Sequence, residues 1–216
     1  MNKLIGIQGL IFDMDNTLLE SRIHFKAMKE EIAFFLANRG YLPDSFPLET
    51  HTTSTLLAYV QERGASKETL DDALRIAEKH ELQGMEGADL EAGAAQLIAS
   101  LHGRYKLVIV TNNAHAAAVR ALDLTGIKNR FDYIVGREQM TAMKPSPSGY
   151  LTAKQHFPHI PDQGWLSIGD SWIDGRASME AQIPFISYGK MGNSMVDKGV
   201  KPIAHIDKLL SLLDYV

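Results

Sequence analysis

The feature that most constrains the fold is a short apolar run that ends abruptly in acidic residues. Residues 6–12 are rich in Ile and Leu, and the polar segment 13–17 follows at once. A continuous apolar run of this length, bounded by Gly and by acids, is typical of a strand buried in a parallel sheet. Ligands bind outside the carboxyl ends of such strands, so Asp13 and Asp15 are candidate functional residues. A polar turn is the alternative from this segment alone, because Asp and Thr also end strands and cap helices.

Two further runs repeat this pattern later in the chain. Residues 106–110 are apolar after Lys106 and are followed by Thr111, and residues 165–168 are followed by Gly169 and Asp170. Shorter apolar runs predict strands at 131–135, 184–188 and 203–206. Helical periodicity predicts helices at 90–103, 114–124, 148–156 and 207–213. Alternating strands and helices imply an α/β fold with a doubly wound parallel sheet.

A helical insert separates the first strand from the remainder. Apolar residues recur at helical spacing in 22–39, 53–63 and 66–82, with Gly40 and Gly64 placed as C-terminal caps and Ser66 as an N-terminal cap. No convincing strand pattern occurs there. We therefore expect a core domain of residues 1–20 and 86–216 and a small helical domain of residues 21–85.

Composition excludes several classes of function. The chain of 216 residues has no Cys, which excludes disulfides, thiolate catalysis and Cys-based metal sites. Its net charge of -4 and its scattered Lys and Arg residues argue against nucleic-acid binding. The N-terminal apolar run is too short for a signal peptide or a membrane span. We expect a soluble, cytoplasmic protein that binds neither nucleic acid nor membrane and acts as a monomer or a homodimer.

Right-handed crossovers would bring the acidic residues to one edge of the sheet. Asp13, Asp15, Asp170 and Asp174 would then form a cluster of like charges, which repel unless they are protonated or neutralised by a cation. Oxygen-only ligands favour a hard metal, and Mg²⁺ suits a site with few carboxylates and room for water and a phosphate oxygen. Helix capping is the alternative for Asp170 and Asp174.

Two further residues supply what the acids cannot. Thr111 offers a hydroxyl donor and Lys144 a compact cation, both suited to the oxygens of an anionic substrate. Each alone has an ordinary explanation, Thr111 as a cap and Lys144 as a solvated loop residue. Beside the acids they indicate a phosphoryl site with an in-line carboxylate nucleophile.

These motifs resemble, in their order along the chain, those of the haloacid dehalogenase superfamily of hydrolases. Residues 13–17 match the first motif, Thr111 the second, Lys144-Pro145 the third and residues 169–174 the fourth. The resemblance implies a Rossmann-like core and a mobile helical cap, inserted between the first two motifs, that shuts out water and reads the leaving group.

The resemblance also implies catalytic and metal-binding roles. Asp13 would be the nucleophile that forms an aspartyl-phosphate, and Asp15 the general acid and base. The side chains of Asp13 and Asp170 and the main-chain carbonyl of Asp15 would hold Mg²⁺. Asp174 would act on the metal through water or by orienting its ligands.

The remaining implied roles concern the substrate. The phosphoryl group would contact Thr111, Lys144 and the backbone amide of Asn112. The presence of Asp15 favours phosphate esters over organic halides as substrates, because a halide leaving group needs no proton. The implied partner is a small phosphorylated metabolite, and the implied reaction is Mg²⁺-dependent hydrolysis of phosphoglycolate, a sugar phosphate or a nucleoside monophosphate.

Two alternatives stay open. Residues 24–29 resemble, at a spacing one residue short, the early cap helix of the β-phosphoglucomutase branch, in which a His favours transfer over hydrolysis. Receiver domains, which are phosphorylatable switches, also combine a parallel sheet, an acidic cluster, a hydroxyl residue and a Lys. The motif order, the helical insert and the chain length argue against a receiver.

Overall fold

The computed structural model describes residues 3–189 and 193–216. Within them lie eight strands, Gly9–Phe12 (β1), Leu19–Glu20 (β2), Asp89–Leu90 (β3), Lys106–Val110 (β4), Tyr133–Val135 (β5), Trp165–Gly169 (β6), Phe185–Tyr188 (β7) and Ala204–Ile206 (β8). The same residues contain eight α-helices, Phe25–Ala37 (α1), Thr53–Glu62 (α2), Lys67–Met85 (α3), Ala94–Leu101 (α4), His115–Leu124 (α5), Ser148–His156 (α6), Trp172–Glu180 (α7) and Asn193–Asp197 (α8).

Six strands form one parallel sheet in the order β5-β4-β1-β6-β7-β8. Strands β1, β4 and β5 lie on one side of the sheet, and β6, β7 and β8 lie on the other. The connections therefore reverse direction between β1 and β6. This reversal is the switch point at which open α/β sheets bind ligands, outside the carboxyl ends of the strands. The predicted α/β fold with a doubly wound parallel sheet is confirmed.

The central strand β1 is apolar because both of its faces are covered. Leu10, Ile11 and Phe12 have no exposed surface, as expected in the middle of a parallel sheet. Trp165 of β6 packs directly over Gly9, where an added Cβ would lie 2.4 Å from the indole ring. Full burial of a large apolar side chain contributes about 1.5–3 kcal/mol, so packing around β1 holds the acidic segment that follows it in one place.

Contacts divide the chain into two compact units, residues 1–21 with 88–216, and residues 22–87. The second unit contains α1, α2 and α3. Its helix ends follow local rules: the Ser66 side chain accepts a hydrogen bond from the Thr69 N–H at the start of α3, and Gly40 and Gly64 take positive φ values after α1 and α2. The predicted caps at these three positions are confirmed.

Several boundaries differ from the sequence-based expectation. The helix predicted at 90–103 begins only at Ala94, because Asp89 and Leu90 pair as β3 with β2 in a short antiparallel ribbon. The C-terminal helix predicted at 207–213 is a 3₁₀ helix, Leu209–Asp214. The ribbon and α8 were not predicted, since two-residue strands and a five-residue helix carry no measurable periodicity. None of the helices in the described parts of the chain has the length and apolar character required to cross a membrane.

Candidate active site

Polar residues follow the carboxyl ends of three neighbouring strands. Asp13 follows β1, Thr111 follows β4 and Asp170 follows β6. The backbone N–H of Asp13 donates to the Ile168 carbonyl at 2.9 Å, and that of Thr111 donates to the Val135 carbonyl at 3.0 Å. The sheet ladder therefore continues one residue beyond β1 and β4 and fixes the positions of both side chains.

Three of the predicted acids converge at this edge. One carboxylate oxygen from each of Asp13, Asp170 and Asp174 lies within 4.8 Å of the others. Asp174 reaches the cluster because Gly169 has no side chain, and a Cβ at Gly169 would lie 2.7 Å from the Asp174 Cβ. Asp174 also caps α7, since one of its oxygens accepts the Ser171 N–H at 3.1 Å. Capping and membership of the acidic cluster are therefore compatible for this residue.

Burial and mutual repulsion raise the pKa of two of these carboxyls. Burial, followed by the charges of Asp13 and Asp174, raises the pKa of Asp170 to about 8. Burial and the charge of Asp13 raise the pKa of Asp174 to about 6, although Lys144 opposes this. One lysine therefore does not neutralise the cluster. Three oxygen ligands with excess negative charge fit a hard divalent cation such as Mg²⁺.

Lys144 lies at the centre of the site and is almost wholly buried, with 1% of its side chain exposed. Its Nζ donates to Asp13 Oδ1 at 2.6 Å, to Asp174 Oδ1 at 2.6 Å and to the Val110 carbonyl at 2.8 Å. Burial alone would lower the pKa of this ammonium, but the charges of Asp13 and Asp174 outweigh burial and raise it well above its ordinary value. Lys144 is therefore a permanent cation beside the candidate nucleophile.

Asn112 holds the loop that carries Lys144. Its side-chain Nδ2 donates to the Lys144 carbonyl at 3.0 Å, and its Oδ1 accepts the Lys144 N–H at 2.8 Å. The family resemblance implies a contact with substrate through the backbone amide of Asn112. The structure adds a side-chain function that the sequence did not reveal, because these two bonds join positions 32 residues apart.

Two residues outside the predicted set contact the candidate catalytic acids. Asn113 Nδ2 donates to Asp15 Oδ2 at 2.6 Å, and Thr17 Oγ1 donates to Asp13 Oδ2 at 3.2 Å. Both follow strands in polar segments, and Thr17 also lies in the first motif, but for Asn113 that position was the only signal in the sequence. Thr111 is 1% exposed and its Oγ1 accepts the Asn113 N–H at 3.2 Å, which leaves the hydroxyl proton of Thr111 available for donation.

A doubly wound sheet with buried carboxylates and a lysine at its switch point has the arrangement of an α/β enzyme site. Residues 10–188 match the family model for haloacid dehalogenase-like hydrolases, and the chain belongs to that family. The resemblance identified from the motifs is confirmed, as is the prediction of a hydrolytic enzyme.

Similar proteins span most of the chain. A phosphoglycolate phosphatase from Rhodobacter capsulatus is 28% identical over 193 residues, which cover 83% of each protein. The pyrophosphatase PpaX from Listeria monocytogenes is 24% identical over 180 residues, covering 82% of this chain and 80% of PpaX. The crystal structure of YfnB from Bacillus subtilis, which has magnesium bound, shares the fold with a TM-score of 0.62 and 21% identity, covering 96% of this chain and 97% of YfnB.

Proposed function

We propose that this protein is a Mg²⁺-dependent phosphatase that hydrolyses a small phosphomonoester through an aspartyl-phosphate on Asp13. The observation that carries the proposal is the buried Asp13 carboxylate, which Lys144 and Thr17 bind on its two oxygens beside Asp170 and Asp174. A buried carboxylate paired with a lysine at the switch point of the sheet is suited to in-line attack on phosphorus. The phosphatase names of the relatives support the same reaction.

In the first step, Asp13 attacks the phosphorus while Asp15 protonates the departing ester oxygen. A carboxylate O–P bond forms, the ester P–O bond breaks, and the proton of Asp15 leaves with the alcohol. In the second step, Asp15 takes a proton from water as the water oxygen attacks phosphorus, which releases inorganic phosphate and restores the Asp13 carboxylate. Thr111 donates to a phosphoryl oxygen in both steps, and the Lys144 ammonium binds the phosphoryl group through its positive charge.

We propose that Asp13 and Asp170, together with the main-chain carbonyl of Asp15, hold the Mg²⁺, and that Asp174 orients these ligands. When bound, the ion supplies positive charge against the phosphoryl oxygens and the clustered carboxylates. This assignment rests on the 4.8 Å clustering of the acids and on the raised pKa of Asp170, which burial and its acidic neighbours cause.

The substrate proposal begins with phosphoglycolate. The Rhodobacter capsulatus relative is named for that activity, whereas the Listeria monocytogenes relative is named as a pyrophosphatase. Sugar phosphates and nucleoside monophosphates belong in the same panel, because a single family serves many substrates. We propose that the helical residues 21–85 are the cap that reads the leaving group.

The decisive experiment replaces the nucleophile. Asp13→Asn is expected to abolish turnover of p-nitrophenyl phosphate by the purified protein, because a neutral amide cannot form the acyl-phosphate. Asp162→Asn is the matched control, since this carboxylate precedes β6 at the opposite edge of the sheet and its side chain is 80% exposed. Activity retained in Asp13→Asn, or in wild type stripped of metal by a chelator, would contradict the proposal.

The panel also separates hydrolysis from transfer. Release of inorganic phosphate from phosphoglycolate, sugar phosphates and nucleoside monophosphates, ranked by kcat/KM, identifies the substrate. A sugar phosphate returned as its isomer would instead identify a phosphomutase. Stoichiometric labelling by acetyl phosphate without catalytic release would identify a switch protein.

A further inference from the structure

Asn113 makes a short hydrogen bond to Asp15, the candidate acid and base. Its side-chain Nδ2 lies 2.6 Å from Asp15 Oδ2, and the residue is 5% exposed. Asp15 is 9% exposed, so water has little access to this pair. The contact joins the segments that follow β1 and β4, 98 residues apart in sequence.

The backbone around Asn113 is itself fixed. Its N–H donates to Thr111 Oγ1 at 3.2 Å, and its carbonyl accepts the Arg137 N–H at 3.0 Å. Asn113 lies between the end of β4 and the start of α5, so both bonds hold it on a rigid turn of the core. A side chain anchored in this way can impose a direction on the group it binds.

We propose that Asn113 is a positioning residue for proton transfer, which orients the Asp15 carboxyl through Oδ2 so that Oδ1 carries the transferred proton. The inference rests on the proposed phosphatase function. In the first step, the Oδ1–H bond of Asp15 breaks and the proton passes to the ester oxygen as the ester P–O bond breaks and the Asp13 O–P bond forms. Asn113 touches no reacting atom and acts only by fixing the Asp15 plane.

This role predicts a dependence on the leaving group. Phenolate requires protonation as it departs far more than p-nitrophenolate does, and the two phosphate esters have nearly the same shape. Loss of an oriented general acid should therefore slow phenyl phosphate much more than p-nitrophenyl phosphate. The proper quantity is kcat/KM, because it reports the steps up to formation of the aspartyl-phosphate, whereas kcat also includes the hydrolysis step.

The test compares Asn113→Ala with Asn112→Ala in the full chain with Mg²⁺. Asn113→Ala should lower kcat/KM about 10²-fold for phenyl phosphate and less than about tenfold for p-nitrophenyl phosphate, in keeping with the usual contribution of general acid catalysis. Asn112→Ala, which disturbs the loop of Lys144, should slow both esters by the same factor. In an Asp15→Asn background, Asn113→Ala should have no additional effect.

Equal slowing of both esters by Asn113→Ala, or no slowing, would overturn the positioning role while leaving the phosphatase assignment intact. A wild-type protein inactive on both esters would instead refute the proposed function itself. Asn113→Ser is the second variant if Asn113→Ala does not fold, which urea unfolding will show. If neither variant folds, Asn113 serves stability rather than proton transfer, and the inference is wrong.

Discussion

Replacing Lys144 with methionine tests the electrostatic organisation of the site most directly. The ammonium has three protons, and they bind two carboxylates and one carbonyl, on Asp13, Asp174 and Val110. Methionine approximates the length of the lysine stem but cannot bind any of these oxygens. The substitution therefore leaves two buried carboxylates without their cation rather than opening a large cavity.

The size of the effect follows from that geometry. Removing one partner of a buried ion pair costs about 3–5 kcal/mol, because the other charge stays buried and uncompensated. For a chain of this size, that corresponds to a fall in Tm of about 6–20 °C. Lys128→Met is the matched control: its Asp123 partner is exposed, and such pairs contribute about 0–1 kcal/mol.

Urea unfolding followed by tryptophan fluorescence is the appropriate assay, because both tryptophans, Trp165 and Trp172, lie in the unit that contains the site. Lys144→Met should be most unstable in chelator and should recover part of the loss in saturating Mg²⁺. Adding Asp174→Asn should also recover part of it by removing one unpaired charge. A loss under about 1 kcal/mol in chelator, or a loss unchanged by Asp174→Asn, would refute the reasoning.

Two smaller predictions concern other parts of the chain. Burial raises the pKa of Asp132, but the hydrogen bond from Lys106 and the other favourable contacts of Asp132 outweigh burial and lower the pKa overall. The ionised Asp132 therefore stabilises the fold above about pH 4, and this stabilisation is lost as the pH falls further. Asp132→Asn should destabilise by under about 1 kcal/mol at pH 7 and by nothing at pH 2, measured by thermal unfolding, and an equal difference at both values would contradict this. Ser66→Ala should cost the helical unit about 1 kcal/mol by removing the cap of α3, measured by circular dichroism in urea, and an unchanged midpoint would contradict it.

The strands that position the site could be predicted because they are buried on both faces. The apolar run that ends at Phe12 and the run at 106–110 have no other stable environment in a soluble fold, and the polar residues after them mark the carboxyl edge. The two-residue strands Leu19–Glu20 and Asp89–Leu90 could not be predicted, since pairing across 70 residues leaves no local pattern. The spacing of Leu209 and Leu212, which are both buried, fits a 3₁₀ helix as well as an α-helix.

Side-chain geometry was the less predictable part of the site. Residue types and order identified Asp13, Thr111, Lys144 and Asp170 as candidates, because each supplies chemistry that a phosphoryl site needs. Their mutual distances depend on the sheet register, and the contact between Asn113 and Asp15 depends on how a single turn is bent. Nothing in a sequence distinguishes an Asn that faces a carboxylate from one that faces solvent, so the contact had to come from the structure.

Burial of Asp13, the proposed nucleophile, would link catalysis, metal binding and stability at one place. A carboxylate that attacks phosphorus must be ionised, yet burial favours the neutral acid, so the chain must supply charge and hydrogen bonds around Asp13. Lys144 and Thr17 supply part of this, but a single cation faces the additional charges of Asp170 and Asp174. The excess favours a bound divalent ion, and linkage then requires that the ion stabilise the fold by an amount that grows with the logarithm of its concentration relative to its Kd. Metal-free protein should therefore be both inactive and less stable, and stability should begin to rise at the Mg²⁺ concentrations that restore activity and continue to rise above them.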